Sequence, residues 1–116
     1  MHITFHVALA GLLACAALPV AAAEHAFTLQ NNLSRPITSF KVKGGEVSGF
    51  KKLAPGARVT FTVTVPGSEC NAAVSARVGE NRREGRVNLC DSGGYVLTPA
   101  ESGAKFLPLS QVMLVR

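Results

Sequence analysis

The sequence predicts a small all-β protein, an antiparallel β-sandwich that follows an N-terminal export signal. Three observations carry this. Apolar and polar residues alternate with period two along most of the chain beyond residue 26, the pattern of strands with one buried face. Turn-forming residues interrupt that alternation at short intervals. No segment after residue 23 holds a helical period long enough to specify a helix.

The strands follow in order. Phe27 and Leu29 share one parity. Phe40 and Val42 do the same, with Lys41 and Lys43 opposite. Arg58 to Val65 is the clearest strand: Val59, Phe61, Val63 and Val65 point one way, Arg58, Thr60, Thr62 and Thr64 the other. Its Val and Thr content suits a half-buried pleat. Val74, Ala76 and Val78 alternate with Ser75 and Arg77, and Val87 and Leu89 with Arg86 and Asn88. Gly94 to Thr98 and Gln111 to Val115 are two late strands, and Ala100 to Pro108 reads as a long surface loop. Turns fall at Asn31-Asn32, Lys43-Gly44-Gly45, Pro55-Gly56, Pro66-Gly67, Gly79-Glu80-Asn81 and Ser92-Gly93-Gly94. Pro55-Gly56 is the best defined, since Pro presets the second position of a type II turn and Gly takes the positive φ of the third. About seven or eight short strands suit a sandwich, immunoglobulin-like in plan, better than a barrel. With no Trp, one Tyr and six Phe, the core is expected to rest on Val, Leu, Ile and Ala.

The 116 residues make one domain. Residues 1–23 read as a signal peptide and residues 24–116 as the β-domain. Val7 to Leu18 is an apolar run with the length of a signal-peptide core, typically ~7–15 residues. Pro19 ends it, and Val20-Ala21-Ala22-Ala23 offers small residues for cleavage after Ala22 or Ala23. Met1 to His6 lacks Lys and Arg, unlike the usual basic start. Two alternatives stand beside this. Leu12-Leu13-Ala14-Cys15 resembles a bacterial lipobox, which would make Cys15 a lipidated first residue. Retention of Val7 to Ala23 would give a span at the short end of the roughly 17–25 residues that cross a bilayer. Cleavage predicts a periplasmic or secreted protein with no stable membrane span.

Removal or lipidation of Cys15 leaves Cys70 and Cys90, an even pair expected to form one disulfide in an oxidising compartment. Two free thiols or a metal pair are the alternatives, but no His or further Cys accompanies the pair. Parity raises a conflict. Cys70 falls with Val74 and Val78 on the core face, Cys90 with Arg86 and Asn88 on the solvent face. A bulge near Gly85, or a strand that ends before it reaches Cys70, resolves it.

The net charge is +5, and all twelve basic residues lie after residue 34. The mature domain is therefore suited to anionic partners. Lys41, Lys43, Arg58, Arg77 and Arg86 lie on solvent faces by parity. Arg82 and Arg83 at a turn tip, with Lys51 and Lys52, are the expected contacts for an anionic protein or envelope component. The basic groups carry no stacking aromatics, which argues against nucleic acid.

The succession of Asn31-Asn32 through Ile37, Leu53-Ala54-Pro55-Gly56 before the strongest strand, Cys70 before Val74, and Val87-Asn88-Leu89-Cys90 resembles a group of small exported bacterial β-domain proteins, largely uncharacterised. The resemblance covers roughly residues 27 to 90. It implies the β-domain and the disulfide, and it brings no catalytic motif. The chain departs from the group in lacking Trp, in its basic Asn81-Arg82-Arg83 turn and in a longer C-terminal segment.

No catalytic constellation stands out, and neither an enzyme nor a cofactor is expected. The acidic residues are scattered, and the one His beyond the signal is His25, near the new N-terminus. A nucleophile–base arrangement would have to use it. Cleavage after Ala22 would leave Ala23-Glu24-His25, whose amine, amides and imidazole suit square-planar Cu(II) or Ni(II). The expected function is a non-enzymatic binding or accessory module of the cell envelope. The alternatives are a secreted hydrolase inhibitor presenting Gly79 to Gly85 as a loop, or a metal-handling protein using His25.

Overall fold

The computed structural model describes residues 22–67, 69–91, 93–101 and 103–110. The signal residues 1–21, with Cys15 among them, and the expected strand Gln111 to Val115 lie outside the described residues. Eight strands form: β1 Ala22–Asn31, β2 Ile37–Val42, β3 Glu46–Ser48, β4 Arg58–Pro66, β5 Asn71–Val78, β6 Asn81–Asn88, β7 Tyr95–Ala100 and β8 Gly103–Pro108. They make two sheets, ordered β3-β4-β1-β7-β8 and β2-β5-β6, as expected of a small sandwich. Pairing is antiparallel except between β1 and β7, which run parallel where Leu29–Asn31 meets Tyr95–Leu97.

Period-two patterning decides which side chains meet between the sheets. Phe27 and Leu29 of β1, Phe61, Val63 and Val65 of β4, and Tyr95 and Leu97 of β7 face inward from the larger sheet. Phe40 and Val42 of β2, Ala72, Val74, Ala76 and Val78 of β5, and Val87 of β6 face them from the smaller one. Most of the buried core is Val, Leu, Ile and Ala, as the composition implies, and a cluster of aromatic rings sits at its centre. Phe40 lies 5.4 Å from the rings of both Phe27 and Phe61 and 6.2 Å from those of Phe50 and Phe106. Phe27 in turn stacks on Tyr95 at 5.8 Å. A few large rings that converge from both sheets fill the middle, where many small side chains would otherwise be needed.

Ala100 to Pro108 is not a long loop. β8 occupies Gly103–Pro108 and pairs with β7 through Ala100↔Gly103 to Tyr95↔Pro108. Ala104 is buried and Phe106 packs on the core, so Ala104-Lys105-Phe106 is a short alternating run. The ring of Phe106 lies over Gly85, where a Cβ would come within 2.6 Å of it.

The disulfide forms between Cys70 and Cys90, with the Cα atoms 5.2 Å apart. The parity conflict is resolved by strand ends and not by a bulge. The β5–β6 register is unbroken from Asn71↔Asn88 to Val78↔Asn81. Both cysteines lie just beyond it, and the chain turns after Asn88, whose side-chain oxygen accepts the Cys90 N–H at 2.9 Å. The bond therefore ties neighbouring strands of one sheet, whereas the immunoglobulin disulfide spans two.

One buried polar side chain organises the loops. Asn31 ends β1 with no exposure to solvent. Its Nδ2 donates to the carbonyls of Arg35 at 2.8 Å and Leu53 at 3.0 Å, and its Oδ1 accepts the Leu33 N–H at 2.9 Å. Its backbone N–H donates to Ala57 O, and its carbonyl accepts the Gly56 N–H. The Leu53-Ala54-Pro55-Gly56 turn closes as predicted, with Ala57 N–H bonded to Ala54 O at 3.0 Å and Gly56 at φ 80°. Leu53 and Ile37 then exchange two backbone bonds of 2.9 Å.

Replacing Asn31 with Leu strips three backbone groups of their partner, each costing about 1–3 kcal/mol when buried. Asn31→Leu is expected to lower the unfolding free energy by about 3 kcal/mol or more, as read from urea denaturation.

Candidate anion-binding site

Among the described residues the smaller sheet has one face in the core and one turned outward, and the outward face carries the charge. Outward along β2 and just past its end stand Ser39, Lys41 and Lys43, along β5 Ala73, Ser75 and Arg77, and along β6 Arg82, Glu84 and Arg86. Register sorts them into rows across the strands. Ser39, Arg77 and Arg82 form one, and Lys41, Ser75 and Glu84 the next. Lys43 donates its N–H to Ala73 O, and Ala73 pairs with Arg86, which completes the third. Strand geometry sets the rows roughly 6.7 Å apart and the β2 and β6 backbones roughly 9.6 Å apart.

In two of the three rows the middle strand contributes a short side chain, Ala73 or Ser75, between long ones, so the face is hollowed there. The resulting trough has a volume of about 710 Å³, with Ala73 and Ser75 on its floor and Lys41, Lys43, Arg82 and Arg86 along its walls. A second hollow of about 310 Å³ shares Lys43, Ala73 and Arg86 and continues to Glu69 and Asn71. Among the described residues the one ion pair within 4.0 Å is Arg82 Nε with Glu84 Oε2, at 3.2 Å. Both side chains are about two-thirds exposed, so water screens the pair and Arg82 is not locked by it.

The larger sheet offers nothing comparable. Along β4 its outer face carries Thr60, Thr62 and Thr64, and Thr60 shares a hydrogen bond of 2.8 Å with Thr28 of β1. Arg58 there is engaged by Gln30 Oε1, at 3.0 Å from Nε and 2.6 Å from Nη2.

The sequence-predicted contacts do not form one cluster. Arg82 lines the trough. Its neighbour Arg83 takes the opposite face of β6, because adjacent strand residues alternate, and lies against Gly103 of β8. Lys51 and Lys52 are exposed just ahead of Leu53, which bridges to Ile37 on the far side of β2. β2 and β5 therefore stand between them and Arg82. The arginines are strand residues, since β6 begins at Asn81 and only Gly79-Glu80 turn the hairpin. Gly79 takes the positive φ, 62°, that the first central position of a tight hairpin turn favours. A protruding Gly79 to Gly85 inhibitor loop is thus reduced to two residues. Lys41, Lys43 and Arg86, which the sequence places only on solvent faces, are what register brings to Arg82.

His25 is a strand residue rather than a frayed terminus. β1 begins at Ala22 and pairs Ala23, Glu24 and His25 with Val65, Thr64 and Val63. Wrapping these three residues around a metal ion would strip them from β4. The imidazole shares the inward parity of Phe27, and its Nε2 is buried with no hydrogen-bond partner. Among the described residues no three His, Cys, Asp or Glu side chains converge on a metal position. No helix among them is long and apolar enough to cross a membrane.

In comparisons with protein-family models, curated proteins and solved structures, nothing matches this chain. The geometry of the trough is therefore what bears on function.

Lys43 and Arg86 are exposed and hold no structural partner within ion-pair distance among the described residues. The double substitution Lys43→Gln with Arg86→Gln is expected to leave the unfolding free energy within about 0.5 kcal/mol in urea titrations.

Proposed function

We propose that this chain is an exported, non-enzymatic binding module of the cell envelope, and that its basic trough takes an anionic partner. The single observation that carries this is the row Lys43–Ala73–Arg86: two cations flank a small side chain, and both hollows open onto them. An anion seated over Ala73 is attracted from two sides, and the floor leaves room for it. The rigid sheet holds the two strands in register before any partner arrives, which lowers the ordering cost of binding.

Export is supported by the apolar run and small-residue cleavage pattern of residues 7–23. A formed disulfide suits an oxidising compartment. Kinship with the small exported β-domain proteins is supported by a physical link between its motifs. Asn31 bonds the Leu53 carbonyl and the Gly56 N–H, so the Asn and the Leu-x-Pro-Gly turn form one unit.

Two measurements test the proposal. The intact mass of the protein from its native host is expected to match a start at Ala23 or Glu24, with two thiols alkylated only after reduction. A lipid-bearing mass starting at Cys15 would replace cleavage with tethering, and a full-length mass with free thiols would remove export. The purified mature protein is expected to bind dextran sulfate but not neutral dextran, and to release it as salt rises. Lys43→Gln with Arg86→Gln should weaken that binding about tenfold, while Lys51→Gln with Lys52→Gln changes it much less. Equal losses from the two pairs would sink the trough as the site.

A further inference from the structure

Resting on the anion-binding proposal, we propose that the partner is an acidic polysaccharide lying along β5, its anionic groups separated by neutral, hydroxyl-bearing sugar. The charge along the trough is uneven, and the unevenness selects. Cations occupy the row Lys43–Ala73–Arg86 and the row Ser39–Arg77–Arg82. Between them lies Lys41–Ser75–Glu84, where one carboxylate offsets one ammonium across a hydroxyl, so the middle of the trough carries no net charge. The two cationic rows are two steps apart, roughly 13 Å by strand geometry.

A continuous polyanion sets a negative charge at every step and gains nothing net from the middle row, where Glu84 repels what Lys41 attracts. A saccharide with spaced anions does not. Its acidic groups fall on the outer rows, and the neutral sugar between them donates hydroxyls to the Glu84 carboxylate and the Ser75 oxygen. Hydrogen bonds onto an ionised carboxylate are among the stronger polar contacts. The floor fits as well, since Ala73 and Ser75 leave the depth that a sugar ring occupies.

A lipid surface suits the trough less. Headgroups in a bilayer form a broad layer that cannot descend between the walls. The outward side chains of the sheet include no large apolar residue to enter the acyl region. The trough also has no aromatic side chain, so affinity rests on charge and hydroxyl contacts.

Glu84→Gln in the mature, disulfide-bonded protein separates the cases, because its effect has opposite signs. The probes are an oligosaccharide alternating hexuronic acid with N-acetylhexosamine, linear inorganic polyphosphate, and phosphatidylglycerol vesicles, each titrated calorimetrically. The oligosaccharide is expected to bind the unaltered protein tightest. Glu84→Gln should weaken it about fivefold or more, through loss of charge-assisted bonds, and strengthen polyphosphate severalfold. If Glu84→Gln strengthens the oligosaccharide too, or if polyphosphate or vesicles bind the unaltered protein more tightly, the saccharide inference is overturned and the broader anion-binding proposal stands. Binding of none of the three overturns both. Glu84 is exposed, and an unchanged denaturation midpoint shows that the variant is folded.

Discussion

A buried amide with no access to water must find its partners inside the protein, and Asn31 finds them in three places at once. Its side chain spans the Leu33–Arg35 loop and the Leu53 carbonyl, and its backbone joins the Gly56-Ala57 end of the turn. These bonds fix where β1 stops, where the chain crosses to β2 and where β4 begins. Leu53 then pairs with Ile37, so the same knot anchors the edge of the smaller sheet to the larger one. An apolar residue in that place could fill the space but leave the carbonyls unpaired. A second polar tie joins the sheets, where Tyr95 Oη accepts the Asn88 N–H at 2.8 Å and holds β7 to the end of β6. Between these polar ties the aromatic cluster needs only to fill space.

The trough follows from how the smaller sheet shares its work. Every second residue of β5 is committed to the core as Ala72, Val74, Ala76 and Val78. Of the outward residues between them, Ala73 and Ser75 line the trough, and both are small. Long side chains on β2 and β6 then stand over a low centre. Backbone hydrogen bonding, rather than flexible loops, spaces the points from which the cationic side chains leave the sheet.

Alternation made the sequence informative where strands are half buried. Arg58 to Val65 and the β5 segment read directly, because their two faces differ in chemistry. The turn at Pro55-Gly56 was equally plain, since few conformations suit that pair. β8 was obscured by Gly103 and Pro108, which look like loop residues, and its signal was confined to Ala104 and Phe106. The same limit applied to the site. Parity placed Lys41, Lys43, Arg82 and Arg86 on solvent faces, or at a turn, but only pairing decides which strands are neighbours. Adjacent arginines looked like one contact, yet a strand sends Arg82 and Arg83 to opposite sides. His25 looked terminal because nothing local shows that β4 is long enough to hold it.

The Cys70–Cys90 bond does more than close a hairpin. It turns the backbone from Cys70 through β5, the Gly79-Glu80 turn and β6 to Cys90 into a covalent ring. That ring holds the trough floor and its arginine wall. Wherever proteases are common, a single cut within the ring releases no fragment. The two pieces stay joined through sulfur and paired along eight residues of ladder. The face built on them can therefore outlast the first cleavage of its own chain.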